Sequence, residues 1–128
     1  MMTKLTKGIR ISVNPYFKER YKSKIGPLYL FGYDISIVNE SSDTVQLIGR
    51  HWYIFDTGDG PSEVQGKGVV GEQPILEPGQ THSYQSGCHL RASIGAMKGH
   101  YYMYNHTTHS YFQVNIPTFQ FFASSRVN

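Results

Sequence analysis

Tyr29-Leu30-Phe31-Gly32-Tyr33-Asp34-Ile35-Ser36-Ile37-Val38-Asn39 is the stretch that decides the fold class of this chain. Tyr29, Phe31, Tyr33, Ile35 and Ile37 fall on one side of an extended backbone, and Gly32, Asp34 and Ser36 on the other. A period of two with aromatic and β-branched residues on the apolar side marks a strand with a buried face. Asn39-Glu40-Ser41-Ser42-Asp43 follows as a turn cluster. A second long strand is expected from Val45 to Phe55. Its parity is uneven: Val45 and Leu47 share one face, and Ile48, Trp52 and Ile54 share the other. A bulge at Gly49-Arg50 reconciles the two halves.

The same rhythm extends outward. Upstream, Ile9, Ile11 and Val13 alternate with Arg10 and Ser12 as a strand. Residues 1–7 read as a frayed start, and Tyr16 to Lys24 as a charged connection ending at Gly26-Pro27. Downstream, Asp56 to Gly60 is a turn, and Ser62 to Gln65 a short paired segment. Glu77-Pro78-Gly79-Gln80 suits a type II turn, because Pro pre-sets the second position and Gly supplies the left-handed third. Thr81 to Gln85 is a strand broken at Ser86-Gly87, and Gly95 to Gly99 a second glycine-flanked connection. His100–Asn105 and Ser110–Ile116 flank a hairpin loop at His106–His109; Pro117 interrupts before a last strand at Phe119–Phe122. No amphipathic helix of ten or more residues is found. Many short strands with regular turn signals predict an all-β sandwich of two antiparallel sheets or a barrel.

At 128 residues the chain has the length of one domain, 1–128. A chain of this size buries roughly two-thirds of its unfolded surface, so packing alone can hold it. Cys88 is the only cysteine and has no internal disulfide partner, which suits a reducing compartment. No signal-like apolar run and no apolar stretch of about 18 residues is found. Together these predict a cytoplasmic protein. Seven of the twelve basic residues lie before residue 25, and no acidic residue follows Pro78. The simplest account of that charge is a solvated face, and nucleic acid is not the expected partner.

Six blocks carry a family resemblance. They are Arg50-His51-Trp52-x-Ile54, Val64-x-Gly66-x-Gly68-Val69-Val70-Gly71-x-Gln73-Pro74, Leu76-x-Pro78-Gly79, Tyr84-x-Ser86-Gly87-Cys88, Gly95-x-Met97-x-Gly99-x-Tyr101-x-Met103 and Ile116-Pro117-x-Phe119. In this order they resemble the ApaG family. The resemblance implies a fibronectin type III or immunoglobulin-like β-sandwich, a link to cobalt and magnesium efflux, and action through protein contacts. No agreed enzymatic activity comes with it. The segment Arg91-Ala92-Ser93-Ile94 and the His106–His109 hairpin, which lacks Asp-Gly, depart from the family pattern.

The residues themselves offer several candidate sites. Gly66-x-Gly68-x-x-Gly71 has the spacing of a dinucleotide loop, but Gln73-Pro74 blocks the helix such a loop requires. No acidic residue about 20 positions on could hold a ribose. What survives is a candidate phosphate loop of Gly66, Lys67, Gly68 and Gly71, in which backbone amides could form an anion nest. Arg50 and His51 form a candidate recognition patch, although neighbours in a strand diverge unless a bulge intervenes. Cobalt favours imidazole and carboxylate ligands. His82, Cys88-His89 and His100 are scattered, and His106 with His109 is a weak His-x-x-His, so no metal site is expected. Cys88-His89 lacks an orienting acid. Trp52, Met97, Tyr101 and Met103 read as core.

The expected function is a non-catalytic binding module acting through a protein partner in divalent-cation homeostasis, with no cofactor. The alternative is a phosphate- or nucleotide-binding protein, or a phosphohydrolase-like enzyme, using residues 66–71. Sandwich edges can pair across a two-fold axis, but no residue here requires a homo-oligomer.

Overall fold

Alternating residues with one apolar face can be buried only against a second such face, and the chain solves this with two sheets. A computed structural model describes residues 1–123. Its strands are β1 (Met2–Thr6), β2 (Ile9–Ser23), β3 (Gly26–Asn39), β4 (Val45–Asp56), β5 (Gly60–Lys67), β6 (Ile75–Leu76), β7 (Thr81–Leu90), β8 (Ile94–Asn105) and β9 (Ser110–Phe122). One sheet has the order β1-β2-β3-β7. The other has the order β5-β4-β8-β9, with the short β6 also paired to β4. Every pairing is antiparallel. The periodicity predicts a sandwich or a barrel, and the fibronectin type III-like sandwich that the resemblance implies is what the chain forms.

The inward residues of both sheets form one core. Phe31 stacks on Phe121 with ring centroids 4.6 Å apart. Tyr33 packs on Trp52 and Phe119. Trp52, Met97, Tyr101 and Met103 are buried, as expected. The β4 parity shift is a bulge at Ile48, since Leu47 opposes Met103 while Gly49 opposes Tyr102. It lets Leu47 and Trp52, an odd number of residues apart, both face inward. Asn39 is a buried lock at the end of β3. Its amide nitrogen donates to the Asp43 and Leu76 carbonyls at 2.7 and 2.9 Å, and its side-chain oxygen accepts from the Ser41 amide and hydroxyl. The Glu77–Gln80 turn closes with a 3.0 Å bond from the Gln80 amide to the Glu77 carbonyl, with Gly79 at φ 87°.

Five segments differ from the sequence reading. Residues 2–6 are not frayed: they pair with Ile9–Val13 as β1. Tyr16–Ser23 continues β2 beyond a register shift between Phe17 and Glu19, and turns at Lys24–Ile25 into β3. Ser86-Gly87 does not break β7, and Gly95–Gly99 lies within β8. Pro117 is absorbed by a bulge opposite Lys98, where β9 has two residues between the partners of Met97 and Gly99. A bulge is where a strand tolerates a missing N–H.

Candidate functional site

Beyond the Ile48 bulge, β4 sends Arg50, Trp52 and Ile54 toward the other sheet, and His51, Tyr53 and Phe55 outward. The expected Arg50-His51 patch is therefore split. Arg50 Nη1 donates to the carbonyls of Lys67 and Gly68, both at 3.0 Å. Its guanidinium lies over Gly66, so close that a Cβ there would sit 2.6 Å from it. Arg50 thus fastens the end of β5 from within.

That fastening bears on the glycine loop. The Gly68 amide donates to the Ile48 carbonyl at 2.8 Å. Val69 and Glu72 exchange reciprocal backbone bonds of 2.8 and 2.9 Å around Val70 and Gly71, whose φ values are 46° and 78°. Two left-handed central residues closed by such a pair make a type I′ hairpin turn. An anion nest needs amides that converge outward, typically from alternating backbone handedness. Here the amides of Gly68, Val69 and Glu72 serve internal bonds. A Cβ on Gly68 would lie 2.2 Å from the Glu72 carbonyl oxygen, which accounts for glycine there without any ligand.

The outer face of the second sheet gathers more chemistry. His51 stacks on Tyr53, with centroids 4.5 Å apart and planes 18° from parallel. His100 lies directly across the ladder from His51, at 5.1 Å between rings. His51 Nε2 donates to Glu63 Oε1 at 2.8 Å, since a carboxylate only accepts. In the neutral ring Nδ1 then accepts from the Tyr102 hydroxyl at 3.4 Å. The Tyr102 oxygen in turn accepts from His100 Nε2 at 3.1 Å. The chain of donors runs one way, from His100 through Tyr102 and His51 to Glu63. Burial, and then the neighbouring His51, hold His100 below the ordinary imidazole range. Lys98 Nζ lies 5.9 Å from the centroids of both Tyr53 and Phe55, within cation–π range. Beside this cluster is a depression of about 590 Å³, lined by Lys4, Tyr53, Phe55, Lys98, His100 and Asn115 among others.

The remaining candidates stay apart. His106 Nε2 bonds Gln46 at 2.9 Å, while His109 Nδ1 meets the Tyr104 hydroxyl at 3.4 Å. Among the described residues, no group of three or more His, Cys, Asp and Glu side chains is placed to share a metal ion. Cys88 faces between the sheets, where burial and then the Asp56 charge push its thiol up to about 11, away from nucleophilic reactivity. His89 is exposed and edges against Tyr21 instead. Sequence reasoning missed Glu63, Tyr53, Lys98 and Tyr102. Their convergence depends on strand register, and the only signal was the density of Tyr, His and Lys in β4 and β8.

Comparison with known proteins agrees with the six blocks. The ApaG domain profile matches residues 19–105. The protein named ApaG of Brucella canis is 43% identical over 119 residues, covering 93% of this chain and 91% of that protein. The ApaG protein of Brucella anthropi is 44% identical over the same extent. Among solved structures, a structural-genomics target superposes with a TM-score of 0.87 at 35% identity, covering 94% of this chain and 90% of that one. A Bordetella pertussis protein described as ApaA superposes with a TM-score of 0.83 at 36% identity, covering 92% and 95%. With its sandwich, its hairpin-forming glycine loop and its near-complete coverage by these relatives, the chain belongs to the ApaG family.

Proposed function

We propose that the chain is a non-catalytic ApaG-type binding module that docks a protein partner on the outer face of β4, β5 and β8. The observation that carries this reading is the construction of that face. Its imidazoles and the Tyr102 phenol are tied to one another and to Glu63, so they hold shape rather than offer a free base. What the face turns outward is flat ring surface and cation: Phe55 is 42% exposed, and Lys98 extends above it. Rigid aromatic anchors beside a basic side chain are typical of binding hot spots. Lys4 and Lys98 select a partner surface carrying carboxylates. The module acts through this partner in cobalt and magnesium homeostasis in the cytoplasm, as the family resemblance suggests.

The test uses the tagged full chain in a bacterium lacking its own ApaG protein. A partner identified by mass spectrometry is purified and titrated against wild type and a Tyr53→Ala/Lys98→Glu double variant. The double variant is expected to bind at least about tenfold more weakly and to fail to restore cobalt tolerance. Equal binding by both proteins, or repeated recovery of the chain alone, overturns the reading.

A further inference from the structure

Each edge of a sheet exposes a row of backbone donors and acceptors, and proteins blunt such edges with charge, proline, bulges or cover. Three of the four edges here are blunted. β1 has five residues, includes Lys4 and is tied to the other sheet, where Thr6 Oγ1 accepts the Asn115 amide at 3.3 Å. β9 contains Pro117 and its bulge. β5 carries Pro61, Glu63 and Lys67. β7 has none of these devices. Its ten residues, Thr81 to Leu90, include no charged residue and no proline, and they pair with β3 without a register shift. Beyond β3, no strand among the described residues pairs with β7.

The sheet opposite β7 is open as well. Val64 of β5 lies directly across from the buried Trp52 and shares its inward face, yet it is 41% exposed. Seven of the eight β5 residues are exposed. Of the inward residues of β7, Leu90 at its end is buried and Tyr84 reaches the Tyr101 hydroxyl of the other sheet, but His82, Tyr84, Ser86 and Cys88 are only half-buried. On this flank the inner face of β5 forms a shelf that the first sheet leaves uncovered, one strand short. Basic side chains border the shelf. Arg50 lies against it at Gly66, Lys67 follows, and Arg91 stands at the far end of β7. Asp59 and Glu72 lie in the turns at either end of β5. Glu63 turns to the opposite face to meet His51, and Asp56 accepts the amides of Gly58, Arg91 and Ala92.

We propose that the free edge of β7 and the inner face of β5 accept an extended acidic segment of a partner protein as an added antiparallel strand. Main-chain bonds to β7 supply binding, and alternate side chains against the shelf supply selection. Val64 and Gly66 are two residues apart on one face, so the incoming strand needs two inward residues at the same spacing. One is apolar and covers Val64; the other is a carboxylate and meets Arg50. This site is separate from the aromatic face, and it stands or falls independently of that face.

The probe is the blocked peptide Thr-Val-Thr-Val-Thr-Glu-Thr-Val-Thr, titrated into the isotope-labelled full chain and followed by amide shifts. Shifts confined to Thr81–Leu90 and Ser62–Lys67 are expected. Replacing the peptide Glu with Lys should weaken binding at least tenfold, and N-methylation of alternate peptide amides should abolish it. Val64→Lys, at an exposed position, should abolish binding with an unchanged melting temperature. Tyr53→Ala/Lys98→Glu should bind the peptide as wild type does. Absence of β7 shifts at millimolar peptide overturns the proposal, as does indifference to the Glu-to-Lys change. A free protein sedimenting at twice its 14.6 kDa mass with β7 amides already protected would assign the edge to a second copy and overturn it too.

Discussion

The two flanks of the sandwich are built differently. On the β1–β9 side the sheets meet, and large aromatics fill the gap between them: Phe31, Phe119 and Phe121 are all nearly inaccessible to water. On the β5–β7 side the inward residues Val64, Gly66, His82, Ser86 and Cys88 are smaller or more polar and only partly covered, and the Tyr84 hydroxyl bridges the layers to that of Tyr101. The difference teaches where this protein places stability and where it leaves surface for recognition. Apolar area removed from water stabilises by about 25 cal/mol per Å², so a side chain already 41% exposed has little of that stabilisation to lose.

Deleting apolar atoms on each flank breaks or confirms this contrast. Phe121→Ala removes a ring stacked on Phe31 and edge-on to Phe119. It should cost about 3–5 kcal/mol in denaturant unfolding. Val64→Ala should cost less than about 0.5 kcal/mol, as surface substitutions do. Comparable losses at the two sites would mean that the β5–β7 flank is as closed as the other in solution.

The glycine loop sharpens the contrast at intermediate size. If it is a structural hairpin holding the end of the open flank, Gly68→Ala acts on stability. The new Cβ meets the Glu72 carbonyl, and the residue must hold φ at 64°. The expected cost is about 2–4 kcal/mol, from left-handed strain plus overpacking. Pyrophosphate at millimolar concentration should leave the unfolding midpoint of the wild type unchanged. A pyrophosphate-dependent rise in that midpoint, lost in Gly68→Ala, would return the loop to anion binding.

Much of the fold was legible in the sequence, and the exceptions have physical reasons. The Tyr29–Asn39 alternation, the type II turn and the buried Trp52 can be read locally, because each depends on neighbouring residues. β1 was not legible: Met2, Lys4 and Thr6 form no apolar stripe, and the strand exists because β2 offers it an edge. Gly99 looked like a chain break. It is a strand residue on which Trp52 lies, where a Cβ would come 2.2 Å from the His51 carbonyl oxygen. The candidate face was the least legible. His51 reaches His100 and Glu63 only after a bulge has reset the register of β4, and one residue of slip would turn the cluster to the wrong side of the sheet.

The smallest expected effect concerns that face and its pH dependence. His100 is held below the ordinary imidazole range, first by burial and then by His51; Lys98, Lys4 and Glu63 are the other ionisable groups around it. A depressed folded-state value means that the unfolded chain takes up the proton more readily than the native one. The stabilisation is therefore complete above the unfolded value of about 6.5. It is lost as pH falls through that value and on through the lower folded one. Because His100 is partly solvated, the loss is modest, about 1–2 °C in melting temperature between pH 7.5 and 5.5. His100→Gln keeps a donor for the Tyr102 hydroxyl but cannot titrate, so its melting temperature should fall less over the same interval. An equal or steeper fall in the variant would show that His100 is not held neutral by this face.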